Sequence, residues 1–402
     1  MRADLCHLST HRLLNLKSLV KTIAVIFGTR PDTIKLSPII LELRKHQKHF
    51  EVVTIATAQH RQMLDQVLDV FRIRPDYDLD IMEPKQSLAK LTKNTIGALD
   101  EVLVRLKPDM VLVQGDTTTT FVGTLASFYR QIPVGHVEAG LRTHDKLNPF
   151  PEEINRRLTS CIADLHFAPT RTAKQALLRE NVPANRIVIT GNSVIDALKL
   201  AVRPNHKFEI SRLNDLVRER RKVILLTLHR RENWGAPMQG ACEAVRRLAE
   251  EYPDYRFVFP VHLNPAVREV VYPILRPVKN VWLMEPLPYI EFVNLMAISH
   301  LILTDSGGVQ EEGPSLGKPI LVLRKVTERP EAVEYGTVKL VGLDQSKIYS
   351  AAKTLLDDKR AYQRMASATN PYGDGHASKR TVHALKHYFG ITRSRPAEFS
   401  PD

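Results

Sequence analysis

Short, nearly uninterrupted apolar runs recur along this chain, each separated from the next by a longer stretch of helical periodicity. Runs that are apolar on both faces suit strands of a parallel sheet covered by helices on both sides. In the first half they are Thr22 to Phe27, Val52 to Ala56, Asp109 to Val113, Ile132 to Val137 and Arg186 to Thr190. The helical pattern before the third run stops at Lys107-Pro108, because proline cannot continue it. Periodicity lapses around Arg203-Pro204-Asn205-His206, and a second series follows: Val223 to Leu228, Arg256 to Phe259, Val281 to Leu283, Leu301 to Leu303, Pro319 to Leu323 and Val338 to Val341. The tail from His376 to Phe389 reads as one more helix. The expected class is α/β, with two Rossmann-like domains facing across a cleft. The expected division is an extension over 1–20, domains over 21–203 and 204–375, and a helix with tail over 376–402 that packs back on the first domain. Ligands in such sheets bind beyond the carboxyl ends of the strands.

Composition narrows the function classes. The net charge of +13 suits either a nucleic-acid surface or a basic enzyme handling phosphorylated ligands. The basic residues are scattered and only 6% of residues are aromatic, which favours the enzyme and argues against nucleic acid. Cys6, Cys161 and Cys242 are odd in number and far apart, with no CxxC or Cys/His ligand spacing. This predicts a reduced, cytoplasmic protein with neither a disulfide framework nor a metal site. No apolar run approaches the ~20 residues of a membrane span. The first twenty residues are basic, with Asp4 the one acidic group, and their apolar stretches are too broken for a secretory signal. They read as a disordered extension or an early start codon.

The polar motifs cluster at predicted strand ends. GTRPDTIKLSP (Gly28 to Pro38) puts Arg30 and Lys35 at a strand–helix junction, suited to a phosphate or carboxylate, although a solvated basic turn explains them equally well alone. QGDTTTT (Gln114 to Thr120) offers Asp116 as a carboxylate or as a helix N-cap. HVEAGLRT (His136 to Thr143) ends a strand in Glu138, with Arg142 as a candidate ion-pair partner. In NPFPEEINRR (Asn148 to Arg157), Glu152 with Arg156 and Glu153 with Arg157 each share a helix face, one pair toward solvent and one inward. Several carboxylates in one site push their pKa values apart, so that one can act as acid and another as base. TLHRREN places His229 at the end of the second series' first strand, and FPVHLNP places His262 one unit later. In LILTDSGGVQEE, Ser306, Gly307 and Gly308 allow close backbone approach at a helix start, and Glu312 lies one turn deeper, where it can accept ribose hydroxyls. TERPE adds Arg329 for a diphosphate, with Glu328 or Glu331 as competing ion-pair partners. No P-loop, GxSxG or dinucleotide fingerprint occurs.

Together with TAQHRQMLDQV, DLHFAPT, GNSVIDAL and NPYGDG, these strings make the chain resemble the non-hydrolysing UDP-N-acetylglucosamine 2-epimerases from about Lys21 to about Phe389. The resemblance implies a two-domain glycosyltransferase-B architecture and reversible conversion of UDP-N-acetylglucosamine to UDP-N-acetylmannosamine through loss and re-addition of UDP. It implies no cofactor, a homodimer, and a product used for cell-surface polysaccharide. By resemblance, Asp116, Glu138, Glu152 and His229 are the acid/base set. The UDP-sugar contacts are Arg30, Lys35, Arg142, Arg156, Phe292, Ser306, Gly307, Gly308, Glu312 and Arg329, with Phe292 beside the uracil. Gln59, Gln62, Lys85, Gln86, Arg230 and His262 resemble a second, regulatory substrate site found in part of the family, with Lys85 replacing a common arginine and losing its planar fork. Asp32 stands where the family usually has glutamate. Rival readings are a hydrolysing relative, a non-catalytic UDP-sugar sensor and a glycosyltransferase.

Overall fold

The computed structural model describes residues 20–57, 61–83 and 86–401. The expectation for the N-terminal extension, and the positions of Gln59 and Lys85, lie outside the described residues. The chain divides into two units, one reaching Ala197 and taking in Gly375–Phe399, the other spanning Leu198–Asp374. The division falls inside the helix Ser193–Ala201 rather than after Arg203.

The first unit holds strands β1 (Lys21–Phe27), β2 (Phe50–Ala56), β3 (Tyr77–Asp78), β4 (Met110–Gln114), β5 (Val134–Val137), β6 (Leu165–Ala168) and β7 (Ile187–Ile189). All pair in parallel, in the order β3-β2-β1-β4-β5-β6-β7. The second unit holds β8 (Val223–Thr227), β9 (Arg256–Pro260), β10 (Val281–Met284), β11 (Ser299–Thr304), β12 (Ile320–Val322) and β13 (Val338–Leu340). They pair in parallel in the order β10-β9-β8-β11-β12-β13. Each sheet is therefore doubly wound. Strand order reverses beside the first strand of each unit, between β1 and β4 and between β8 and β11, and the loops there diverge to leave a crevice.

The central strands are buried throughout because helices cover both sheet faces: Ile23 to Phe27 and Met110 to Val113 in one unit, Ile224 to Leu226, Phe257 to Phe259 and Leu301 to Leu303 in the other. Gly28 ends β1 where a Cβ would lie 2.0 Å from Thr57 Oγ1 and 2.6 Å from Thr119 Oγ1, so only glycine fits the turn. Asp32 closes a capping box on the helix Arg30–Arg44, accepting from the N–H groups of Thr29 (2.8 Å), Thr33 (2.9 Å) and Gly28 (3.1 Å). The helix Ala377–Tyr388 belongs to the first unit, where buried Asp196 accepts from the backbone N–H of Ala377 (3.1 Å) and Ser378 (2.8 Å).

Two strands lay outside the expected series. β3 is a two-residue edge strand in a stretch broken by Asp76, Asp78 and Asp80, too short to leave a pattern. β6 carries His166, which breaks the apolar run in the sequence yet is buried as a neutral ring.

Candidate active site

In the first unit the loops after β1, β4 and β5 gather the polar residues. Gly115 turns the chain out of β4 with φ of +73°, and a Cβ there would lie 3.6 Å from Glu138 Oε1. The loop bearing Asp116 thus abuts Glu138. The N-cap of the helix Thr118–Tyr129 is Thr117, whose side chain accepts from the Thr120 N–H, so Asp116 is not the cap. Its carboxylate pairs with Arg156, and its carbonyl accepts from Asn155 Nδ2 at 3.0 Å.

Glu138 sits just past β5 with φ of +63°, a strained conformation for a non-glycine residue. Its side chain is nearly buried and held by three donors: the Lys35 ammonium, Asn192 Nδ2 at 2.8 Å and Gln114 Nε2 at 2.9 Å. The Glu138–Arg142 pair does not form. Arg142 is buried and forks onto Glu180 at 2.7 and 2.8 Å, with further bonds to Ser160 Oγ (3.0 Å) and the Leu141 carbonyl (2.7 Å). Its guanidinium is thus bonded within the first unit, and a substrate contact would have to use its remaining N–H.

On the helix Glu152–Ile162 the two expected pairs four residues apart also give way. Arg156 bridges Asp116 and buried Glu153 (3.4 Å), while Arg157 approaches Glu180 at 3.9 Å. Glu153 also accepts from the N–H groups of Thr143 (3.1 Å) and His144 (3.2 Å), anchoring the loop that follows Glu138. Glu152 keeps one carboxylate oxygen, Oε2, buried without a hydrogen-bond partner. A carboxyl oxygen in that state is an available proton donor or acceptor, since nothing in the protein satisfies it.

In the second unit the loops after β8 and β11 meet. His229 Nδ1 lies 3.1 Å from Asp305 Oδ1, and Asp305 is fully buried. Asp305 was not singled out in the sequence, where an aspartate ahead of Ser-Gly-Gly reads as turn polarity. Burial raises its pKa, but His229 and the N–H groups of Arg230 and His229 more than offset this, leaving the carboxyl below its ordinary value. The rings of His229 and His262 stack at 6.1 Å and 26°.

Ser306 precedes the helix Gly307–Glu312 and makes no side-chain cap. A Cβ on Gly307 would lie 3.6 Å from Arg230 Nη2 and 3.8 Å from Arg329 Nη2, so two guanidinium groups converge on this helix start. Arg329 is itself held by buried Glu311 at 2.5 Å and by Glu328 at 3.4 Å. Glu312 lies beside Gly308, with Oε1 3.6 Å from that residue's Cβ position, and Tyr289 OH donates to Oε2 at 3.5 Å. Phe292 is half-buried on the helix Tyr289–Ile298. Of the set resembling a regulatory site, Gln86 donates to the Ile81 carbonyl at 3.2 Å in the first unit, whereas Arg230 and His262 belong to the second. The Gln62 side chain lies outside the described residues.

Two doubly wound units, each with polar groups gathered at its switch point, place the chain among proteins of glycosyltransferase-B architecture. A solved glycosyltransferase for kitacinnamycin shares that fold, with a TM-score of 0.61 at 12% identity over 92% of this chain and 99% of its own. The chain belongs to the UDP-N-acetylglucosamine 2-epimerase family, whose model matches residues 42–386. It is 55% identical over 378 residues to the UDP-N-acetylglucosamine 2-epimerase of Bacillus subtilis, covering 94% of this chain and 98% of that one. The crystal structure of UDP-GlcNAc 2-epimerase from Neisseria meningitidis bound to UDP-GlcNAc superimposes with a TM-score of 0.81 at 50% identity, covering 90% of this chain and 99% of that one. By class the chain is an isomerase.

Proposed function

We propose that this enzyme interconverts UDP-N-acetylglucosamine and UDP-N-acetylmannosamine by eliminating UDP to a 2-acetamidoglucal and adding it back. The C2 hydrogen is not acidic enough for direct removal and return at neutral pH, so departure of UDP from C1 must accompany its loss. Inversion requires proton handling on both faces of the sugar, hence more than one group. Asp116, Glu138, Glu152 and His229 form that pool. The observation that carries the reading is the Glu138 environment. Three donors and a strained backbone hold this carboxylate against the Asp116 loop, an expensive arrangement for a group with no task.

Glu312 takes the ribose, Phe292 the uracil side, and Arg329, Ser306, Gly307 and Gly308 hold the departing diphosphate so that it can return. Arg30 and Lys35 supply positive charge from the first unit. Arg156 positions Asp116 through the ion pair between them. Turnover needs no added nicotinamide or metal. Product identity tests the reading: proton NMR of UDP-N-acetylglucosamine incubated with the enzyme should show the manno epimer still bound to UDP. Free N-acetylmannosamine would instead make the enzyme hydrolysing.

The working form is a homodimer in the cytoplasm, its product drawn into cell-surface polysaccharide. Support for the dimer comes from the neighbouring helices Leu88–Leu106, Thr118–Tyr129 and Glu152–Ile162, which expose Val104, Phe128, Tyr129, Ile154 and Leu158. Light scattering on the purified chain reads its state directly. No helix of the described residues is long and apolar enough to cross a membrane.

A further inference from the structure

We propose that Asp305 is the positioning residue of His229, holding the imidazole through Nδ1–H so that Nε2 is the ring nitrogen left for the UDP-sugar. The inference rests on the reading above for the histidine's task, but not for the geometry of the pair. Asp305 follows β11 directly and is fully buried. It accepts from the His229 N–H (2.9 and 3.1 Å), the Arg230 N–H (2.9 Å) and Asn233 Nδ2 (2.9 Å), and it meets His229 Nδ1 at 3.1 Å. A carboxylate held ionised by that set can only accept, so Nδ1 must carry the hydrogen. The neutral ring then has its lone pair on Nε2, which has no hydrogen-bond partner among the described residues.

The rest of the loop fixes the ring further. The Trp234 indole N–H donates to the His229 carbonyl at 3.3 Å, so both backbone groups of His229 are tied down. His262 lies along one face of the ring, and burial, followed by repulsion from His229 whenever that ring is charged, lowers its pKa, so it stacks as a neutral plate. Asn233 holds Asp305 in turn, its amide also donating to the Leu323 carbonyl at 3.2 Å. The sequence TLHRREN thus encodes the imidazole and, four residues on, the amide that steadies its orienter.

A plainer role exists for Asp305, since a carboxylate that only stapled the backbone of residues 229–230 would make three of the same bonds. The two roles separate experimentally. Imidazole nitrogen shifts of isotope-labelled wild-type enzyme should show His229 as the Nδ1–H tautomer whenever the ring is neutral. A neutral Nε2–H tautomer would overturn the proposal, whatever any variant does. Asp305→Asn should lower kcat by at least about 10-fold and up to about 10⁴-fold, the loss seen when a carboxylate that orients a catalytic histidine through Nδ1–H becomes an amide, with KM for UDP-N-acetylglucosamine within about twofold. Made in the His229→Gln background, the same change should cost less than about twofold more. Full additivity of the two substitutions would show a staple and refute the positioning role. A His229→Gln enzyme with wild-type turnover would instead sink the assignment of His229 to the reaction while the tautomer result stood.

Discussion

The first unit should lose stability on mild acidification, through two buried histidines beneath the carboxylate loops. His136 and His166 are register partners on β5 and β6, and both are buried. His136 Nε2 lies 2.7 Å from the Gly115 carbonyl, which only accepts, so Nε2 carries the hydrogen and Nδ1 is left without a partner. Burial pushes His136 down to about 3 and His166 down to about 4, from an ordinary 6.5. The folded values are depressed. The stability these rings contribute is therefore fully present above 6.5 and is lost as pH falls, because the unfolded chain takes up protons that the fold refuses. From about pH 7 to about pH 5 each ring costs about 2 kcal/mol. Asp32 works the other way. Burial pushes it up to about 6, so the fold gains a proton over the same interval and about 1 kcal/mol returns. The net loss is about 3 kcal/mol. Urea unfolding at the two pH values measures it. Trp234 and Trp282 both lie in the second unit, so fluorescence follows that unit and the first must be followed by circular dichroism or amide exchange of β5 and β6. His166→Phe should reduce the acid loss by about 2 kcal/mol. An equal loss in wild type and variant would refute the reasoning.

Asp116→Asn, Glu138→Gln and Glu152→Gln should each lower kcat by about 10²–10⁴ with circular dichroism unchanged; near-normal turnover in any of them removes that residue from the pool. Glu312→Gln should weaken UDP binding by about 1.5–3 kcal/mol in calorimetry, and wild-type affinity would move the ribose elsewhere. Arg329→Ala should weaken UDP and also cost about 3 kcal/mol of stability, because it removes an ion-pair partner of the buried Glu311 carboxylate. Arg142→Met should destabilise the first unit while leaving KM unchanged; a raised KM in a stable variant would restore its substrate role.

The sheets were legible in the sequence because apolar strands such as Thr22 to Phe27 need no partner to be recognised. β6 was not, because a histidine inside a strand carries no sign of being held neutral. The candidate residues were legible as types and positions at strand ends, but not as contacts. Glu138 pairs with Lys35, 103 residues away, rather than with Arg142 four residues on, and Arg142 pairs with Glu180, 38 residues away. Only the sheet order brings those loops together. The run of threonines after Asp116 likewise hides which residue caps the helix; Thr117 does, which frees the carboxylate. Asp305 was invisible for a related reason, since its partner His229 lies 76 residues earlier, in the loop after the neighbouring strand β8.

The elimination mechanism is tested most directly by running the reaction in heavy water and reading C2 of the sugar by NMR. The account predicts that product UDP-N-acetylmannosamine carries deuterium at C2, that the recovered gluco substrate gains it on longer incubation, and that free UDP and 2-acetamidoglucal slowly accumulate. Epimerised product that keeps its original C2 hydrogen would contradict it.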